Sequence, residues 1–132
     1  MLFVMQTGGD WQHRRIYAIP LENSVPSERD RWIQLTSGDY NDRKPQFSPN
    51  GNLVYFTSNR DGSTCLWALR LDKTTKRPLG DPFVIQHFHG SQRIYRSVWS
   101  YHMEVNVARD KIVTNLDEMH SDIWMMQLDT GK

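Results

Sequence analysis

The chain has 132 residues, with 16 Lys and Arg against 15 Asp and Glu and a formal net charge of +1. Hydrophobic residues make up 38% and charged residues 23%, a composition that excludes a disordered segment and allows a globular domain with a core. The even charge balance argues against a nucleic-acid partner, and no apolar run approaches the roughly 20 residues of a membrane-spanning helix.

The first predicted element is a β-hairpin. Its strands are the runs "FVMQT" at 3–7 and "IYAIPL" at 16–21, joined by a turn that contains "TGGD". Short runs rich in β-branched and aromatic residues between glycine-rich turns are typical of strands. The opening residues "MLFVMQTGGD" lack the basic segment of a signal peptide, so no export signal is predicted.

The middle of the chain repeats this pattern with two further strands ahead of it. "WIQLT" at 32–36 and "KPQFS" at 44–48 lead into a hairpin made of "LVYFT" at 53–57 and "LWALRL" at 66–71. The turn "SNRDG" supplies a carboxylate for backbone N–H groups, and its glycine, Gly62, suits a positive φ angle.

The last third of the chain follows the same order. "FVIQHF" at 83–88 and "EVNVA" at 104–108 precede "KIVTN" at 111–115 and "DIWMMQLD" at 122–129. The first two hairpins align at one sequence offset of 50 residues. Four short strands per unit of this length are the signature of a propeller blade.

The sequence therefore predicts an all-β chain that forms a partial β-propeller of about two and a half four-stranded antiparallel blades. The predicted units are a half blade of two outer strands at 1–21, a full blade at 32–72 and a full C-terminal blade at 83–129. One repeat position holds an aromatic side chain in each copy, which predicts packing between blades. These residues are Tyr17, Trp67 and Trp124.

The stretch "PQFSPNGNLVYFTSNRDGSTCLWALRLD" resembles the repeat of the TolB-like (WD40-like) β-propeller family, and the last blade resembles the C-terminal blades of a larger bacterial propeller protein. Asn50 stands where the family repeat usually has Asp. The resemblance implies a propeller that acts as a protein-binding or scaffold module, and it suggests the periplasm. It also brings in an alternative, a metal-dependent, oligogalacturonate-type polysaccharide lyase or a peptidase-associated propeller.

Histidines cluster after the run "FVIQ". Strand alternation puts His87 and His89 on one side, and His102 follows further along. If "FVIQHF" is the first strand of its blade, it lines the central channel, and the three side chains predict a divalent-metal site there. The competing interpretation is that ordinary hydrogen bonds satisfy these histidines. No other cofactor is predicted.

A second candidate site lies in the long connection before "EVNVA". Arginines and aromatic residues are enriched at protein-binding hot spots, and a connection of this length is often functional. The predicted binding residues are Arg93, Tyr95, Arg96, Trp99 and Tyr101. The competing interpretation is a connection that folds back onto the blade and buries its aromatic rings.

The search for catalytic groups leaves none to predict. The sequence has no Gly-x-Ser-x-Gly elbow and no Cys-x-x-Cys pair, and Cys65 is the single cysteine, expected as a small buried thiol. Two and a half blades leave faces and strand edges uncovered. We therefore expect a non-catalytic interaction or scaffold module, a fragment or half-ring of a larger propeller, that binds a protein partner or associates with itself through open blade edges.

Overall fold

The computed structural model describes residues 1–9, 11–21, 28–89, 93–94, 104–118 and 123–125, with only the backbone at 93–94. Within these ranges the chain is all-β, with eleven strands, one short 3-10 helix at Arg29–Arg31 and no α-helix. The strands are β1 (Leu2–Gln6), β2 (Arg14–Ala18), β3 (Ile33–Gln34), β4 (Arg43–Phe47), β5 (Leu53–Ser58), β6 (Cys65–Arg70), β7 (Phe83–Gln86), β8 (Arg93–Ile94), β9 (Val105–Val107), β10 (Ile112–Thr114) and β11 (Asp117–Glu118).

Every pairing between these strands is antiparallel. Sheet 1 has the order β1-β2-β3, and sheet 2 has the order β4-β5-β6-β7. Two smaller sheets pair β9 with β10 and β8 with β11. The all-β prediction is therefore confirmed, and the first seven strands follow one another in meander order. None of the described residues lies in a helix long and apolar enough to cross a membrane.

The sheets group the strands differently from the predicted blades. β3, from the run "WIQLT", pairs with β2 and closes sheet 1, and β7 pairs with β6 and closes sheet 2. Both runs were expected to open the next unit. An apolar run is compatible with pairing on either side, so the sequence pattern alone does not decide between the two neighbours. Consequently, β7 is the last strand of sheet 2, not the first strand of a following sheet.

The two hairpins also differ in register. Phe3 lies opposite Tyr17 in sheet 1, and Phe56 lies opposite Trp67 in sheet 2. The second strands keep the offset of 50 residues (17 to 67), whereas the first strands are offset by 53 (3 to 56). The alignment of "FVMQT" with "LVYFT" is thus three residues out of register. Turn lengths differ between the hairpins, and strand register follows the turn.

The main hydrophobic core lies between sheets 1 and 2. Ile16 and Ala18 of β2 meet Val54, Phe56 and the end of β6 there, and Phe56 is fully buried. A second cluster joins Leu66 of sheet 2 to Val105 of β9. Sheet 2 is therefore packed on both faces. Consecutive residues of β5 and β6 point to opposite faces, so both strands carry apolar side chains at neighbouring positions and not only at every second one.

The turn between β5 and β6 is held by a buried ion pair. Arg60 Nη2 donates to the fully buried Asp42 Oδ1 at 2.9 Å. The Arg60 guanidinium also lies 5.1 Å from the ring centroid of Trp67 and 5.3 Å from that of Phe56. Gly62, in the same turn, has φ +92°, which confirms the predicted positive angle. This network ties the β5–β6 turn to the residue preceding β4.

The predicted aromatic anchors have different outcomes. Trp67 is partly buried and packs against the main core. Trp124 is 90% exposed, and residues 123–125 form no strand. The expectation that Trp124 is a buried packing residue is therefore wrong. A repeat position predicts burial only where a neighbouring sheet covers it.

Candidate functional sites

The outer face of sheet 1 carries an aromatic cluster. Phe3 and Tyr17 are cross-strand neighbours, and the Trp32 ring stands edge-on to both, with centroids 5.8 and 5.7 Å away. The Arg29 guanidinium lies 5.8 Å from the Trp32 ring centroid. Phe3 is 39% exposed. We call Phe3, Tyr17, Trp32 and Arg29 the aromatic face of sheet 1.

The free edge of β1 lies beside this face. Met1 and Ile19 exchange two backbone hydrogen bonds, and the Thr7 N–H donates to the His13 carbonyl. In an antiparallel ladder, hydrogen-bonded residue pairs alternate with pairs that share no hydrogen bond. Phe3 and Met5, which lie between Met1 and Thr7 at every second position, are therefore also hydrogen-bonded to β2. The backbone groups of Leu2, Val4 and Gln6 then point away from β2, and no strand of the described chain pairs along that side.

A cluster of metal-ligating side chains lies at one end of sheet 2. Asp61 belongs to the β5–β6 turn, Cys65 is the first residue of β6, and His87 and His89 follow β7. The pairing of Leu66 with Gln86 brings the end of β7 beside the start of β6. One ligand atom from each of the four residues lies within 4.8 Å of the other three. We call these four residues the histidine cluster.

The shortest contacts in the cluster form a triangle. His87 Nδ1 lies 2.8 Å from Asp61 Oδ2, His89 Nε2 lies 3.3 Å from the same oxygen, and the two ring nitrogens are 2.9 Å apart. The Phe88 N–H donates to Cys65 Sγ at 3.3 Å. The side chains of His87 and His89 are 49% and 46% exposed, whereas Cys65 is fully buried.

The surroundings shift two pKa values in opposite directions. Burial raises the pKa of Asp61, but hydrogen bonds, chiefly the one from His87, outweigh it and hold that pKa below its usual value. Burial raises the pKa of the Cys65 thiol, and the N–H of Phe88 opposes this only in part. Asp61 is therefore an anion at neutral pH, and the Cys65 thiol keeps its proton there.

The structure places two of the three predicted metal ligands, His87 and His89, side by side, with ring nitrogens 2.9 Å apart. Both histidines follow β7. This strand was expected to be the first of its blade and to line a channel, whereas in the structure it is the outer strand of sheet 2. His102 lies outside the described residues. Asp61 and Cys65, interpreted from the sequence as a turn residue and a buried thiol, join the two histidines. The sequence positions of Asp61 and Cys65 indicate a shared site with the histidines only once β6 is known to pair with β7.

The predicted binding connection lies almost entirely outside the described residues. Tyr95, Arg96, Trp99 and Tyr101 lie outside the described residues, and the side chain of Arg93 does as well, although its backbone belongs to β8. These five residues remain a prediction. The site that sequence reasoning missed is the aromatic face. Tyr17 was predicted to pack between blades, and Phe3 and Trp32 were interpreted as ordinary strand residues, because only the pairing of β3 with β2 brings the three rings together.

Comparison with known proteins shows a distant similarity. The chain is 29% identical, over 66 residues, to the uncharacterized protein Atu1656 of Agrobacterium fabrum (strain C58). The match covers 50% of this chain and 20% of the relative's length, so most of that protein lies outside the similarity. No family model matches the chain, and no solved structure matches it.

Proposed function

We propose that the chain is a non-catalytic interaction module built from TolB-like propeller blades, and that sheet 1 is its binding surface. One observation carries this proposal. Phe56 and Trp67 of sheet 2 sit in the interface that sheet 1 covers, whereas the equivalent pair, Phe3 and Tyr17, has no described sheet against it. A blade in a propeller packs against a neighbour on each face.

The chemistry of this surface suits another β-sheet. Aromatic side chains with an adjacent arginine are the residue types that dominate protein interfaces. The free backbone groups of Leu2, Val4 and Gln6 offer a template for an added strand, the β-augmentation mode of recognition. The partner we propose is a second copy of this chain, whose own sheet stacks on the aromatic face or pairs with the β1 edge.

Sedimentation velocity across a concentration series tests this function. We expect the wild-type chain to shift from monomer to dimer with increasing concentration. Phe3→Asp places a charge in the aromatic face. We expect it to raise the dimer dissociation constant by about tenfold or more, which corresponds to a loss of about 1.4 kcal/mol of binding free energy. Leu79→Asp is the matched control, because Leu79 is a 55% exposed apolar residue elsewhere.

A second variant separates the edge from the face. Gln6→Pro removes an outward backbone N–H while leaving the bonds of Phe3 and Met5 to β2 intact, and Gln6→Ala keeps that N–H. If β1 pairs with a partner strand, the proline variant alone weakens association. A monomer that persists at every concentration, or equal weakening by Leu79→Asp, would contradict self-association through sheet 1.

A further inference from the structure

We propose that the histidine cluster, Asp61, Cys65, His87 and His89, binds a divalent transition metal, with Zn²⁺ as the best match. The set offers two imidazole nitrogens, one thiolate sulfur and one carboxylate oxygen, and one atom from each already lies within 4.8 Å of the others. Mixed nitrogen, sulfur and oxygen ligands in fours are typical of tetrahedral Zn²⁺. This inference is independent of the proposed role of sheet 1.

The triangle of Asp61 Oδ2, His87 Nδ1 and His89 Nε2 is the first argument. Its three sides are 2.8, 2.9 and 3.3 Å, all within hydrogen-bonding range. The oxygen is an acceptor, so the two ring nitrogens can supply at most two protons for three contacts. Whichever way the protons point, one side is left as a close contact without a hydrogen bond. A cation in contact with all three atoms resolves this conflict.

The size of the cluster is the second argument. Zn–N and Zn–O bonds of about 2.0–2.2 Å and a Zn–S bond of about 2.3 Å place tetrahedral ligand atoms about 3.3–3.6 Å apart. The triangle must therefore open by about half an ångström at its shortest side. The side chains of His87 and His89 are about half exposed, so both rings have room to make this adjustment by small side-chain rotations.

Cys65 provides the fixed corner of the site. Its sulfur accepts the N–H of Phe88 at 3.3 Å, a backbone contact of the kind that orients and stabilises a thiolate ligand. When the metal binds, the S–H bond breaks, the proton passes to solvent, and the sulfur electron pair forms the bond to the metal. No change of oxidation state is involved. A sulfur ligand and two imidazoles also disfavour Ca²⁺ and Mg²⁺, which take oxygen ligands.

The position of the cluster indicates what the metal does. Its ligands come from the β5–β6 turn, the start of β6 and the segment after β7, three parts of the chain that meet at one end of sheet 2. Four protein ligands fill a tetrahedral shell, the arrangement of structural sites. The metal therefore fastens the outer strand β7 to the central hairpin, and we assign it a structural role.

Titration with Co²⁺, followed by competition with Zn²⁺, tests the site. Metal-stripped protein should bind one Co²⁺ per chain, with the intense visible absorption of tetrahedral cobalt and a thiolate-to-metal band in the near ultraviolet. Zn²⁺ should displace it. His89→Asn should weaken Co²⁺ binding by about 100-fold or more, beyond the 10–100-fold typical of a residue that only supports a ligand.

Two further variants keep the test decisive. Cys65→Ala should abolish the near-ultraviolet band. If that variant does not fold, the loss of Co²⁺ affinity in His89→Asn still tests the site. His13→Asn is the matched control, a histidine outside the cluster, and should leave affinity unchanged. Zn²⁺ at about 100 times its dissociation constant should raise the unfolding midpoint by roughly 10 °C. Octahedral-type weak absorption, or equal weakening by His13→Asn, would show only adventitious binding and overturn the site.

Discussion

Sheet 1 and sheet 2 contain equivalent cross-strand aromatic pairs, Phe3 with Tyr17 and Phe56 with Trp67, in two different surroundings. Phe56 in sheet 2 is fully buried, whereas Phe3, at the equivalent place in sheet 1, is 39% exposed. The same contrast recurs at the ends of the hairpins, where Leu71 is 2% exposed and Leu21 is 56% exposed. Both hairpins are built from apolar, β-branched and aromatic residues, so strand composition does not explain the difference.

The difference follows from the neighbours of each sheet. β5 has β4 on one side and β6 on the other, and sheet 1 packs over its face. β1 has β2 on one side only, and no described strand follows on the other. A sheet buries an apolar face only where another element packs against it, and no described sheet packs against the aromatic face of sheet 1. That open face is the surface we assign to binding.

The largest expected effect comes from truncating the equivalent phenylalanines. Phe56→Ala should lower the free energy of unfolding by about 3–5 kcal/mol, because it leaves a cavity in the main core. Phe3→Ala should lower it by about 1 kcal/mol in dilute solution, since its ring is partly in water already. Urea unfolding of both variants provides the comparison, and equal losses would mean that the two environments are alike.

The second prediction concerns the ion pair of sheet 2. Arg60→Met should cost about 3 kcal/mol, because the carboxylate of Asp42 is then buried without its partner. Arg77→Met, at an exposed arginine, is the control and should change stability by less than about 0.5 kcal/mol. Thermal unfolding measures both. A small effect at Arg60 would show that water, not the guanidinium, satisfies Asp42.

The smallest predicted effect tests the turn of the middle hairpin. Gly62 has φ +92°, and a Cβ there meets no atom within 4 Å, so strain alone should decide the outcome. Gly62→Ala should cost about 1–2 kcal/mol. Gly9, in the first hairpin, also has open space and no positive φ, so Gly9→Ala should be near neutral. Equal midpoints for the two variants in chemical unfolding would contradict the assigned turn.

Much of the secondary structure could be predicted because it is local. The runs that became β5 and β6, the positive φ of Gly62 and the buried thiol of Cys65 follow from residue type and spacing. The partner of β3 could not be predicted, because "WIQLT" fits beside either neighbouring hairpin. The three-residue difference in hairpin register depends on turn geometry, which the pattern of apolar residues does not encode.

The histidine cluster was predictable only in part, for the same reason. His87 and His89 share a side of an extended segment, so their proximity is local. Asp61 and Cys65 stand more than 20 residues earlier, and only the pairing of β6 with β7 brings them to the histidines. The aromatic face likewise needs β3 beside β2 before Trp32 meets Phe3 and Tyr17.

Hydrogen exchange at β1 tests the central claim, an open sheet edge available to a partner, most directly. At low concentration, the amides of Leu2, Val4 and Gln6 should exchange rapidly, while those of Phe3 and Met5, bonded to β2, and Tyr55, bonded to β4, should exchange slowly. With increasing concentration, Leu2, Val4 and Gln6 should gain protection if a second copy pairs with the edge. Strong protection of these three amides at the lowest concentration would contradict the account, because the edge of β1 would then already be covered within a single chain.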